Sequence, residues 1–190
     1  MPIRQTLRDQ LVQAWHQTIE QPYREQLINS ERGLQVHFCA ALLNIFSKYE
    51  RPRRIFVEPR ISSKLLDKGY IPDVLICNQR SIIGIVELKY KPKGRAKYVK
   101  DLRTLERLTD QEAEITIAND RFRGKKLNVR SYKMASNSIV CWAAVYSGKI
   151  IQAEAKLDPQ LKNRVLFLHA LTKAGTDPNV LPELPVASEP

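Results

Sequence analysis

The sequence predicts an α/β domain, a β-sheet covered by helices, and three observations point to it. Apolar residues recur at helical spacing from the N-terminus to Tyr49. Two runs rich in β-branched residues, Tyr70–Cys77 and Ile82–Lys89, are separated only by a short polar turn, the pattern of a hairpin. Helical spacing then returns before a third apolar run, Ser138–Tyr146, which reads as a buried strand. The 190 residues suffice for one domain with a real hydrophobic core and fall short of two ordinary ones.

In chain order, Ile3, Leu7, Leu11, Ala14 and Trp15 mark a first helix that runs to Glu20, and Pro22 suits a break or the first turn of the next helix. In the second helix Leu27, Leu34, Phe38, Leu42, Ile45 and Tyr49 form one stripe, and Glu31 falls on it. An acid there needs a reason. Arg51-Pro52 closes this helix, after which Ile55, Val57 and Ile61 alternate with Arg54, Phe56 and Arg60 as a first strand. The hairpin follows, bounded by Lys68-Gly69, by Asn78–Ser81 and by Lys91-Pro92. Arg95–Thr109 is a covering helix with Tyr98, Leu102, Leu105 and Leu108 inward. Ser138–Tyr146 is a strand that Ile150–Ala155 could join across Ser147-Gly148, whereas Arg164–Leu171 fits strand and helix alike. From Thr176 onward Pro178, Pro182, Pro185 and Pro190 with few apolar anchors suggest a disordered or loosely docked tail over 176–190, leaving 1–175 as the domain.

Composition narrows the functional classes. The chain is 43% hydrophobic and 27% charged, which is globular, and no apolar run has the length of a bilayer span. Cys39, Cys77 and Cys141 are odd in number and far apart, which indicates neither a disulfide framework nor a metal knuckle. The polar start, Met1-Pro2-Ile3-Arg4-Gln5, lacks the apolar core of a secretion signal, and a reducing cytoplasm is the expected compartment. A net charge of +11 makes an acidic polymer the natural partner. Between Lys89 and Lys133 stand 14 basic residues against 6 acids. Such a run can be a solvated helix face or a phosphate-binding surface.

The residues that carry chemistry lie in the hairpin. Alternate side chains of a strand share a face, so Ile71, Asp73, Leu75, Cys77, Ile83, Ile85, Glu87 and Lys89 fall together. For Asp73 to oppose Glu87 the paired numbers must sum to 160, which requires a turn centred on Arg80, either a three-residue loop or a bulged equivalent. Their neighbours are Ile, Val and Leu, so the carboxylates would sit in a central strand, where each needs a cation. A Glu87–Lys89 salt bridge would answer for one of them and leave Asp73 without a partner. A Mg²⁺ ion held by two carboxylates, waters and phosphate oxygens answers for both.

Pro72, Asp73, Glu87 and Lys89 in a strand–turn–strand setting resemble the motif of the PD-(D/E)XK nuclease superfamily. The expected order of helix, three-strand meander, helix and further strand over about residues 24–147 is similar to that family's restriction-endonuclease-like core with its mixed sheet. The resemblance implies that Asp73 and Glu87 bind Mg²⁺ or Mn²⁺ with help from the Leu88 carbonyl and from Glu31, directly or through water. It implies that Lys89 positions the attacking water and stabilises charge at phosphorus. Glu31 is similar to a helical acid that many members carry, with Gln35 one turn later; alternatively it is an exposed first-turn acid favoured by the helix dipole. The Gln-x-x-x-Tyr motif of RecB-like members is absent, since Tyr98 stands without its glutamine.

The following helix offers Arg95, Lys97, Lys100, Arg103 and Arg107, preceded by Lys91 and Lys93, as contacts to phosphates without sequence reading. Arg121, Arg123, Lys125, Lys126, Arg130 and Lys133, interleaved with Phe122 and Tyr132, form a second basic segment that could grip a strand or stack a base, or be a solvated loop. His16, His37 and His169 lack metal-ligand spacing. The expectation is a Mg²⁺-dependent nuclease acting on nucleic acid, a DNA endonuclease of structure-selective or restriction type, with a homodimer compatible with two cuts on a duplex. The rival is a nuclease-like protein that binds nucleic acid or serves assembly without catalysis.

Overall fold

The computed structural model describes residues 5–49, 53–62, 70–101, 103–104, 114–119, 128–150 and 159–182. Helix α1 (Gln5–Thr18) buries Leu7, Leu11, Ala14 and Trp15 on one stripe and runs on into a π-helical turn, Ile19–Tyr23. Pro22 lies inside that turn, where the widened register tolerates a residue without an N–H. Helix α2 (Glu31–Phe46) starts at Ser30, whose hydroxyl accepts from the Gly33 N–H at 3.0 Å. It buries Leu34, Phe38, Leu42 and Ile45, and the Phe38 ring meets Trp15 edge-on. The apolar stripe read from the sequence is longer than the helix. Leu27 and Tyr49 lie beyond its ends and are exposed.

The strands are β1 (Arg54–Val57), β2 (Ile61–Ser62), β3 (Val74–Cys77), β4 (Ser81–Lys91), β5 (Glu114–Asn119), β6 (Asn128–Ser147), β7 (Val165–Lys173) and β8 (Thr176–Leu181). They form one mixed sheet in the order β1-β3-β4-β6-β5-β2, with β7 on the second half of β6 and β8 on β7. β1, β3 and β4 are an antiparallel meander, and β6 runs parallel to β4. Between β4 and β6 helical backbone begins at 99; the expected residues Leu102, Leu105 and Leu108 fall outside the described residues. The α/β class and the helix-covered sheet are therefore as the sequence predicts.

Helices α1 and α2 cover one sheet face, with Leu11, Trp15 and Phe38 in one cluster with Val74, Ile76, Val86, Leu88 and Cys141. The opposite face carries Leu75, Cys77, Ile85, Val140, Trp142 and Phe167, with Ala96, Tyr98 and Leu161 over it. A Cβ on Gly84 would meet Ile76 and Leu7 side-chain carbons at 3.4 Å, so the glycine lets α1 sit close to β4.

Three elements differ from the sequence reading, and one ambiguity is resolved. The single first strand is split, because Glu58 has a positive φ of 45° and Pro59 cannot donate to a ladder; Ile61 joins β5 in the sheet order instead. Ser138–Tyr146 is the end of a longer strand whose edges are taken by β4 and β7; of the expected partner Ile150–Ala155, Ile150 is exposed and 151–155 lie outside the described residues. Arg164–Leu171 resolves as strand β7 from Val165. Thr176–Leu181 is a strand rather than the start of a loose tail, with Pro178 at an edge where the β7–β8 register shifts. Residues 183–190 lie outside the described residues. No described helix is long and apolar enough to cross a membrane.

Candidate functional site

The site is built by the β3–β4 hairpin. Asn78 Oδ1 accepts from the Arg80 and Ser81 amides at 2.9 and 2.7 Å, which closes the turn, and the register slips between Ile76 and Cys77. Val74 then pairs with Val86 and Leu75 with Ile85, pairs that sum to 160. This is the bulged solution of the two the spacing allowed. The bulge also corrects one position: Ile83 turns to the α1–α2 face and Ile82 takes the place beside Ile85. Continuing the register, Asp73 stands opposite Glu87, and Lys89 is one step further on that face.

Asp73 is held from three sides. Its Oδ2 accepts from the Leu88 N–H at 2.6 Å, and its carbonyl accepts from Gln35 Nε2 at 2.9 Å and from the Glu58 N–H at 3.0 Å. Gln35, buried on α2, is thus a backbone anchor for Asp73. In an extended strand the N–H and C=O of one residue leave on the same side, so the Leu88 carbonyl also opens toward β3. Glu87 is only 6% exposed; its Oε1 accepts from the Tyr70 hydroxyl and its Oε2 is 3.7 Å from Lys89 Nζ. Lys89 Nζ also lies 3.4 Å from Asp101 Oδ2. Glu31 opens α2, is exposed, and accepts from the Tyr90 N–H at 3.1 Å. It lines a small cavity of about 230 Å³ with Arg32, Gln35, Glu58 and Asp73.

The electrostatics follow from the crowding. Burial, and then Asp73 beside it, pushes the Glu87 carboxyl up to about 7. Burial also raises Asp73, against the Leu88 amide and Lys89, which pull the other way. Burial pulls Lys89 down, but Asp101, Glu87, Glu31 and Asp73 outweigh it and its ammonium is held above the usual range. Burial and the neighbouring Glu87 raise the Tyr70 hydroxyl, which stays protonated as a donor. The buried thiols Cys39 and Cys77 are pushed up to about 11 and about 12 by desolvation, which leaves them inert.

Asp73, Glu87, Lys89, Leu88 and Gln35 are therefore brought together, and Glu31 stands at the rim. The Tyr98 ring packs edge-on against Trp142, the β6 residue paired with Glu87, at 6.2 Å. Lys91, Lys93, Arg95, Lys97 and Lys100 are all exposed, and the last three line a cleft of about 820 Å³ with Tyr98, Val99 and Arg103. Arg121, Arg123, Lys125 and Lys126 lie outside the described residues. Tyr132 is corrected from a base-stacking residue to a core one, 3% exposed and packed on Phe56. Tyr70 and Asp101 were missed by the sequence reading. An isolated acid in a basic run was the one signal for Asp101, and Tyr70 left none.

The groups that could hold a divalent cation are Asp73, Glu87 and the Leu88 carbonyl. Among the described residues no three His, Cys, Asp or Glu side chains are gathered as a metal cage. Comparisons with protein-family models, curated proteins and solved structures gave no match to this chain.

Proposed function

We propose that the chain is a divalent-metal-dependent nuclease that hydrolyses phosphodiester bonds, a DNA endonuclease of structure-selective or restriction type. The observation that carries this reading is the Val74–Val86 register, which sets the half-buried Asp73 beside the buried Glu87 with a lysine next to them. The run of helix α2, antiparallel meander, helical segment and parallel strand supports the PD-(D/E)XK resemblance at the level of topology.

The donor set fits Mg²⁺ or Mn²⁺. Mg²⁺ is commonly held by one or two carboxylates with waters and phosphate oxygens, so a three-acid cage is not required. Asp73 and Glu87 would hold the ion with the Leu88 carbonyl, and Glu31 would act from the rim through water. When bound, the ion polarises a phosphoryl oxygen and lowers the pKa of water. The chain's own residues do the rest. The Leu88 amide and Gln35 fix Asp73, and Tyr70 fixes Glu87. Lys89 orients the attacking water and balances charge at phosphorus. Lys91, Lys93, Arg95, Lys97 and Lys100 meet backbone phosphates, the last three from the cleft.

The test is incubation with supercoiled, linear, branched and single-stranded DNA and with RNA, with and without Mg²⁺ or Mn²⁺. The expected result is metal-dependent cleavage that falls on the order of 10³-fold in Asp73→Ala and in Lys89→Ala, several kcal/mol of transition-state stabilisation. Cleavage that persists in both variants overturns the site. Mobility shifts without cleavage under any metal would establish the binding-only alternative.

A further inference from the structure

We infer that Asp101 is a positioning residue for Lys89, an inference that rests on the nuclease reading above. Asp101 lies in the first turn of the helical backbone that begins at 99, where the helix dipole favours a carboxylate. Its side chain is turned inward, 19% exposed, and its Oδ2 is out of solvent with no hydrogen-bond partner among the described residues. What that oxygen faces is the Lys89 ammonium at 3.4 Å.

The immediate chain around Asp101 is rich in exposed cations, with Lys97, Lys100 and Arg103 close in sequence. An acid placed only for surface balance would pair with one of these in water, where such pairs contribute little. Asp101 instead gives up solvent to reach a lysine on the strand that carries Glu87, a placement that is unfavourable unless the partner is held well.

The geometry explains what it gains. On its inner side Lys89 has Glu87 Oε2 at 3.7 Å, with Asp73 beyond. With those carboxylates alone, the ammonium would fold back onto them and compete with a cation for the same oxygens. Asp101 attracts it at a shorter distance, so the ammonium is shared between Glu87 and Asp101 rather than closed onto the carboxylate pair. A phosphodiester brought to the pair would then meet an ammonium that Glu87 does not hold alone.

A kinetic double-mutant cycle tests this, using the full chain, Asp101→Asn, Lys89→Met and the pair, on a DNA substrate that the wild type cleaves. Asp101→Asn should lower the single-turnover rate about 10- to 100-fold, the range for residues that orient a site group. KM for DNA and the Mg²⁺ concentration for half-maximal rate should stay within about twofold. In the Lys89→Met background the same substitution should change nothing further, and Asp101→Glu should restore part of the rate. Equal losses in both backgrounds, or a loss confined to KM, would overturn the inference. Urea midpoints verify that each variant folds, and if Asp101→Asn does not, Asp101→Glu carries the same cycle. A wild type that cleaves nothing removes the nuclease reading and this inference with it, whereas an active wild type with an additive cycle removes the inference alone.

Discussion

Glu87 on β4 and His169 on β7 stand on the same sheet face, 6% and 7% exposed. Burial acts on both in the same sense, against the charged form: His169 is pulled down to about 4 and Glu87 is pushed up to about 7. Their surroundings differ. His169 stacks on Phe167, meets Trp142 and Tyr146 edge-on, and shares one hydrogen bond of 2.9 Å between Nδ1 and the Tyr146 hydroxyl. Glu87 has a second carboxylate beside it and a lysine drawn partly away. Burial of a titratable group thus does not mark a site by itself. A like charge placed against it does, because a core evolved for stability alone would have no reason to keep the pair.

The largest break of this comparison comes from acid. A histidine of folded pKa about 4 stays neutral while the unfolded chain takes up a proton from about 6.5 downward, so its contribution is present above that range and lost as pH falls toward 4. The loss approaches about 3 kcal/mol. Glu87 works in the opposite sense over an overlapping window, so wild-type stability alone would hide both. Urea unfolding of wild type and His169→Gln at pH 7, 5.5 and 4.5 separates them: the difference should shrink as pH falls. A constant difference would mean that His169 titrates in the fold as it does in the unfolded chain.

The next effect is of opposite sign. Because the folded pKa of Glu87 lies above its unfolded value, metal-free wild type should lose stability as pH rises from about 4.5 through about 7. Glu87→Gln keeps the shape and removes the charge, so the metal-free variant should gain about 1–2 kcal/mol over wild type at pH 8 and little at pH 5. Added Mg²⁺ should raise the melting temperature of wild type and leave the variant unmoved. A destabilised Glu87→Gln at pH 8 would show that Asp73 and Glu87 are not in conflict.

How much of this was legible depends on how far each feature is local. The carboxylate pair was, since a period of two and the requirement that paired numbers sum to 160 fix a face without tertiary information. The bulge that satisfies it was one of two options, and only side-chain placement shows that Ile83 leaves the face. The first strand broke at Glu58-Pro59, where a proline was visible but the alternation of Ile55, Val57 and Ile61 was weighed above it. Strand β8 was hidden for the converse reason, because prolines that exclude a central strand are tolerated at an edge. Asp101 and Tyr70 could not be found by spacing. Each reaches the site from an element outside the hairpin, and their placement depends on how those elements dock.

The smallest effect tests the one thing the two clusters share, a tyrosine hydroxyl on the buried group. Tyr70 donates to Glu87 much as Tyr146 meets His169, but a hydrogen bond to a carboxylate gains strength when the acceptor is ionised. Tyr70→Phe should therefore lower stability by about 1 kcal/mol at pH 8, where Glu87 is charged, and by less at pH 5. Tyr146→Phe should cost the same at both pH values, since its partner is neutral at each. Denaturant midpoints of the two variants at both pH values decide the matter. A Tyr70→Phe loss that is the same at pH 5 and pH 8 would make Tyr70 a packing residue, leaving Lys89 as the only described side chain that counters the charge of Glu87.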